Sequence, residues 1–132
     1  MEWEKEAKKE ITVLMVEPGQ HPKVTTLKND LDSLQKAVSI GAEQQGLIEI
    51  ISLENGDCIL CNEEGKLIGL EGNRRFGDDI LTGVFYVMSE TADGDLKSLS
   101  KDKIKLYTER FWEPETFSRE DIEAALLFRF IN

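Results

Sequence analysis

The segment Ile80-Leu81-Thr82-Gly83-Val84-Phe85-Tyr86-Val87-Met88 constrains the chain more than any other. Aliphatic and aromatic residues dominate it, it carries no charge, and it falls far short of the ~20 residues of a membrane-spanning helix. It reads as one buried strand, with Gly83 marking a bulge or a close backbone approach. Ile11–Glu17 is a second dense apolar run rich in β-branched residues, and it also reads as a buried strand. Pro18-Gly19 and His21-Pro22 break the chain after it, and Lys23–Leu27 returns as the other half of a hairpin. Leu47–Leu53 and Cys58–Cys61 flank Asn55-Gly56, the favoured pair for a type I′ turn because both central residues need φ > 0. A turn at Glu63–Lys66 leads into a short strand over Lys66–Leu70, and the polar stretch 71–79 reads as a loop.

Three segments carry a helical period. Asn29 is placed to cap the first, with Asp30 and Asp32 in its first turn and Leu31, Leu34, Ala37 and Val38 as an apolar stripe along roughly three turns. Asp93-Gly94-Asp95 is a turn; Ser100 then caps a helix whose apolar side is Ile104, Leu106, Tyr107 and Phe111, and Pro114 ends the segment. Ser118 and Asp121 resemble a capping box for a third helix over 119–129, with Ile122, Ala125, Leu126 and Phe130 turned inward. The order β-β-α-β-β-β-β-α-α predicts the α+β class: a largely antiparallel sheet of about five to six strands with helices packed on one face. Val13, Leu34, Ile48, Val84 and Tyr86 are expected in the core.

At 132 residues the chain is one domain, 1–132. Residues 1–10 form a flexible or helical arm, 11–111 the core, and 112–132 an acidic C-terminal helix region. Sixteen basic groups face 26 acidic ones, for a net charge of -10. That balance excludes general coating of nucleic acid and attraction to anionic membranes, both of which need cations. The charged start Met1-Glu2-Trp3-Glu4-Lys5-Glu6 is no secretory signal, and the reading is a cytoplasmic protein with reduced thiols.

Few residues carry chemistry. Cys58 and Cys61 lie within a predicted strand, where i and i+3 face opposite sides, so they read as buried thiols rather than a redox or zinc pair. His21 is the single histidine and stands in a loop without a nucleophile. Asp93-Gly-Asp95 lacks the later ligands of a calcium loop, with Lys97 at the third ligand position and Ile104 at the twelfth. Glu49, Asp57 and Glu63 are the best acidic metal set available, but no spacing demands one. No catalytic residue, metal or cofactor is therefore assigned, and the chain is not read as an enzyme. Two constellations remain. Asn73-Arg74-Arg75, between Gly72 and Gly77, is expected to be a partly exposed loop able to hold a nucleotide or other anion. Glu113, Glu115, Glu120, Asp121 and Glu123 form the densest acidic segment and the first candidate for binding a partner.

Several segments taken in order resemble a known family: Val13-Leu14-Met15-Val16-Glu17-Pro18-Gly19, Leu47-Ile48-Glu49, Cys61-Asn62-Glu63-Glu64-Gly65-Lys66, Asn73-Arg74 and Ile80-Leu81-Thr82-Gly83. It is a domain-of-unknown-function family of small proteins encoded by phages and conjugative elements of Firmicutes, and the likeness spans residues 11–111. The Gly41–Gly46 junction is longer than the resemblance implies. The family supplies no activity; it implies a mobile element in a bacterial cytoplasm. The expected function is a non-enzymatic accessory protein that binds a host or element-encoded protein with a basic surface. Its sharpest form is an acidic DNA mimic in counter-defence, with no direct binding to nucleic acid or membrane. The alternative is an anion- or nucleotide-binding module built on Asn73, Arg74 and Arg75.

Overall fold

The computed structural model describes residues 10–131, with side chains described through residue 127. The expected arm therefore lies outside the described residues except for Glu10, as does the side chain of Phe130. Two hairpins form the frame of the sheet: β1 (Glu10–Val16) with β2 (Lys23–Lys28), and β3 (Ile48–Ser52) with β4 (Asp57–Asn62). Asn55 and Gly56, in the turn of the second hairpin, both have positive φ, at 61° and 75°. Strand β7 (Phe85–Glu90) lies between β1 and β4 and runs antiparallel to both, giving the order β2-β1-β7-β4-β3. Where β1 leaves it, β8 (Leu96–Lys97) continues the pairing along β7 through Ser89↔Lys97 and Glu90↔Leu96. The α+β class with an antiparallel six-stranded sheet is as the sequence predicts.

The long apolar run at 80–88 is two strands rather than one. β6 (Asp79–Thr82) pairs with β5 (Gly72–Phe76) in a separate two-stranded sheet, and the chain turns at Gly83 before entering β7. Gly83 has φ of 71°, and a Cβ there would lie 2.7 Å from Leu70 Cδ1. The close approach expected at this glycine is thus the corner between the two sheets. Residues 72–76, expected in a loop, are a strand, and 66–70, expected as a strand, are a compact turn. In that turn Ile68 N–H donates to the Glu64 carbonyl and Leu70 N–H to the Gly65 carbonyl, both at 3.0 Å. Leu67 and Ile68 stay exposed while Leu70 is buried against Gly83, a pattern that no half-buried strand produces.

Alternation along the strands builds two cores. Ile11, Val13, Cys58, Leu60, Tyr86 and Met88 face one side, and Leu14, Val16, Ile59, Cys61, Phe85 and Val87 face the other. Helix α1 (Leu31–Ala37) covers the first side through Leu34 and the following Val38. Helix α2 (Lys101–Arg110) covers the second with Tyr107 and, just beyond it, Phe111, while Leu81 comes from β6. The helices therefore occupy both faces, not one, because every central strand is apolar on both sides. Of the expected core, Val13, Leu34, Val84 and Tyr86 are buried, and Ile48 is half-buried on the edge strand.

Helix α1 is two turns long, shorter than expected. Asp30 caps it, with Oδ1 accepting from Ser33 N–H at 2.8 Å, while Asn29 donates instead to the Leu96 carbonyl. Leu31 is exposed and drops out of the apolar stripe. Ser100 caps α2 as expected, but Leu106 points to solvent. The Ser118–Asp121 box closes reciprocally at the start of α3 (Arg119–Ile131): Asp121 N–H donates to Ser118 Oγ at 3.1 Å, and Ser118 N–H to Asp121 Oδ2 at 2.8 Å.

Candidate functional site

The Asn73-Arg74-Arg75 segment lies on β5, and two of its three side chains are interior. Asn73 is fully buried and bridges three elements: its Nδ2 donates to the Val16 and Gly83 carbonyls, both at 2.8 Å, and its Oδ1 accepts from Arg74. Arg74 is 1% exposed. Its guanidinium donates to the carbonyls of Phe111 (3.0 Å), Gln20 (2.6 Å) and Asn73 (3.1 Å). Burial lowers its pKa, and the nearby Glu115 carboxylate works against that shift. The expected exposed loop is thus corrected: Asn73 and Arg74 are internal ties joining the two sheets to the chain after α2. Only Arg75 is exposed, with its guanidinium 5.6 Å from the centre of the Phe117 ring.

The three carboxylates weighed as a metal set are not together. Asp57 opens β4 and Glu63 follows its end, about 20 Å apart at ~3.3 Å per residue. Asp57 is buried and fully engaged by Tyr107 Oη (2.6 Å), Lys103 Nζ (2.7 Å) and Ser89 Oγ (2.8 Å). Desolvation raises its pKa, but the hydrogen bonds from Lys103, Tyr107 and Ser89 outweigh it and hold the carboxyl below its ordinary value. This cluster fastens α2 to β4 and β7. Among the described residues, no group of three or more His, Cys, Asp and Glu is placed to hold a metal ion. Cys58 and Cys61 are free and buried, and burial pushes both thiols up to about 12, so neither is a thiolate near neutrality. His21 stacks on Trp112 with ring centroids 3.9 Å apart, and its Nδ1 donates to the Trp112 carbonyl at 2.7 Å.

One cavity gathers segments that are distant in sequence. It has a volume of about 270 Å³ and is lined by Glu49 and Ile51 of β3, the Cys61–Leu67 turn, Asp79 and Thr82 of β6, and Leu126 of α3. The turn follows from its residues. Asn62 is buried, its Oδ1 accepting from Glu64 N–H at 2.9 Å and its Nδ2 donating to the Val38 carbonyl. Gly65 is required because a methyl there would run into the Thr82 side chain. Lys66 reaches inward to Asp79 at 2.9 Å, and Cys61 Sγ lies 3.8 Å from Glu49 Oε1. Within Cys61-Asn62-Glu63-Glu64-Gly65-Lys66, then, four residues shape the turn, and Glu63 and Glu64 remain as exposed carboxylates at the mouth.

These two acids belong, with Glu54 and Asp57, to an acidic cluster near two hairpin tips that is legible in the sequence. From residue 37 to residue 65 the chain contains no Lys, Arg or His, yet carries Glu43, Glu49, Glu54, Asp57, Glu63 and Glu64. Glu43, Glu54, Glu63 and Glu64 are exposed. A running count of charge sign along the sequence extends that cluster to Glu43 and Glu49 and shows that no cation interrupts it. The C-terminal acids divide differently. Asp121 closes the capping box, Glu115 Oε2 accepts from Arg75 N–H at 3.0 Å, and Glu123 pairs with Arg119 at 3.2 Å. Glu113 and Glu120 are exposed and take part in no described bond.

The model of the family described as a domain of unknown function (DUF3846) matches residues 11–112, and the chain belongs to this family. The match begins in β1 and ends just after α2, so it contains both sheets, the Cys61–Lys66 turn and the Arg74 ties. Neither the comparison with curated proteins nor the one with solved structures gives a match. No helix among the described residues is long and apolar enough to cross a membrane.

Proposed function

We propose that the chain is a non-enzymatic accessory protein of a phage or mobile element that works in the bacterial cytoplasm by binding a protein with a basic face. One observation carries the reading: once structural roles are assigned, the loop before β3, the β3–β4 hairpin and the turn after it keep exposed Glu43, Glu54, Glu63 and Glu64, and the sequence has no cation between residues 37 and 65. A surface of one sign steers a complementary partner and repels phosphates. The buried groups add nothing catalytic to this face: Cys61 is held as a thiol and Lys66 is tied to Asp79. The sharpest form of the proposal is counter-defence by DNA mimicry, with spaced carboxylates standing for phosphates that recur about every 1.7 Å of duplex axis. The test is capture from host lysate at low and at about 1 M salt, where the Debye length falls to ~3 Å. The expected result is a basic protein retained at low salt, released at high salt, and lost when Glu63 and Glu64 are both changed to Lys. Tight binding to duplex DNA, or a partner indifferent to salt, overturns the reading.

A further inference from the structure

We infer that the outer edge of β3 is the docking line, and that the partner adds an extended basic segment there as a further strand of the sheet. This rests on the proposed binding of a basic protein and specifies how that binding is made. The hydrogen-bond register decides which backbone groups are available. Glu63 N–H donates to the Leu47 carbonyl at 3.0 Å and Leu53 N–H to the Asp57 carbonyl at 2.8 Å. Odd-numbered positions between them therefore direct their backbone groups toward β4, and Ile48, Ile50 and Ser52 direct theirs outward. β3 is the last strand of the sheet order, so among the described residues these three N–H and three C=O groups have no strand partner.

The two edges of this sheet are built differently. β2 has a lysine at each end, Lys23 and Lys28, which is a usual guard against strand addition. β3 reads Ile-Glu-Ile-Ile-Ser, with no lysine, proline or bulge, and Ile50 is 42% exposed. An added strand would gain main-chain bonds from the edge and apolar contact from Ile50 and the neighbouring exposed Leu47. Charge selects the occupant. Exposed Glu43 precedes β3, exposed Glu54 follows it, and Glu63 and Glu64 adjoin Leu47, so the charged sequence neighbours of the edge are all acidic, while Lys103, donating to the Asn55 carbonyl at 3.0 Å and tied to Asp57, is a cation at the hairpin tip. A second copy of this chain would bring the same acids against themselves, whereas a segment of alternating lysine and apolar residues matches both the field and the edge.

The probe is an eight-residue peptide alternating lysine and valine, added to the full chain at low salt, with residue-resolved amide hydrogen exchange as the readout. In the free protein Ile48, Ile50 and Ser52 should exchange fast, while Ile51 and Leu53 should be protected. Saturating peptide should slow exchange at Ile48, Ile50 and Ser52 at least tenfold, a change that charge attraction alone does not produce. Ile50→Pro removes an outward N–H and no ladder bond, so it should weaken the peptide at least tenfold, while Ile50→Ala keeps the N–H and weakens it far less. The exchange measurement on the unaltered chain stands even if the proline variant fails to fold. Failure of the peptide to bind, binding without protection of those amides, or a folded proline variant that binds normally overturns the edge assignment and leaves the charge-based reading standing. Equal binding of a glutamate–valine peptide overturns the charge-based reading itself. A dimer in light scattering with those amides already protected gives the edge to a second copy and overturns the partner assignment.

Discussion

Among the described residues Arg74 and Asp57 are the two buried charges that hold elements together, and they solve the problem differently. Among the described residues no carboxylate forms an ion pair with Arg74, which is stabilised by three carbonyl dipoles and the Asn73 amide oxygen, spread around a planar donor set. Lysine cannot reproduce that geometry. Arg74→Lys should lower unfolding free energy by about 2–3 kcal/mol in urea melts, because the buried Phe111 carbonyl and the part-buried Gln20 carbonyl lose their donors. Arg75→Ala, at an exposed position, should cost less than about 0.5–1 kcal/mol. Asp57 is an anion with three donors. Its folded pKa lies below the unfolded value, so its contribution is fully present above about pH 4 and disappears as pH falls through the folded pKa. Asp57→Asn should cost about 3 kcal/mol at neutral pH, and its thermal midpoint should fall less steeply than that of the parent chain on acidification below about pH 4.

At the scale of elements, the corner at Gly83 decides the architecture, since it sends β6 into one sheet and β7 into the other. Gly83→Ala meets two penalties: a positive φ costing about 1 kcal/mol and an approach to the Leu70 side chain. Leu70→Ala opens that space at the cost of a buried leucine. The double variant should therefore be more stable than the sum of the single losses, by about 1 kcal/mol in a double-mutant cycle. Composition and period revealed most strands, because β1, β3, β4 and β7 are dense in β-branched and apolar residues. They also revealed the Ser100 and Ser118 caps, whose chemistry is local. The split at Gly83 stayed hidden because Thr82 and Val84 suit a strand equally well on either side of a corner. The sequence of β5 reads as a loop because Gly-Asn-Arg-Arg-Phe has polar residues facing inward, and only the distant carbonyls of Val16, Gln20 and Phe111 make that tolerable. The Cys61–Lys66 turn was legible as a motif, whereas its meeting with Asp79 and Thr82 depends on the second sheet, which local pattern does not encode.

For the whole molecule, a net charge of -10 makes salt a variable of both binding and stability. Like charges on a compact body repel, so raising salt from about 10 mM to about 150 mM, which shortens the Debye length from ~30 to ~8 Å, should raise the melting temperature. Reversing Glu113 and Glu120 to Lys should leave stability within about 0.5 kcal/mol, since neither has a described partner, while slowing association with a basic partner. Reversing Glu115 and Asp121 should also destabilise, because they hold Arg75 N–H and the start of α3. The strand order has a further consequence for how the chain is made. β1 and β4 are neighbours only through β7, which leaves the ribosome after both hairpins are complete. Until residue 90 has emerged, each hairpin has an apolar inner edge with nothing beside it, and the two buried faces have no centre to close on. A nascent chain stopped after Thr82 should therefore be aggregation-prone, whereas one stopped after Phe111 contains everything needed to seal the sheet, and translation through this short window is the moment when the protein most needs a chaperone.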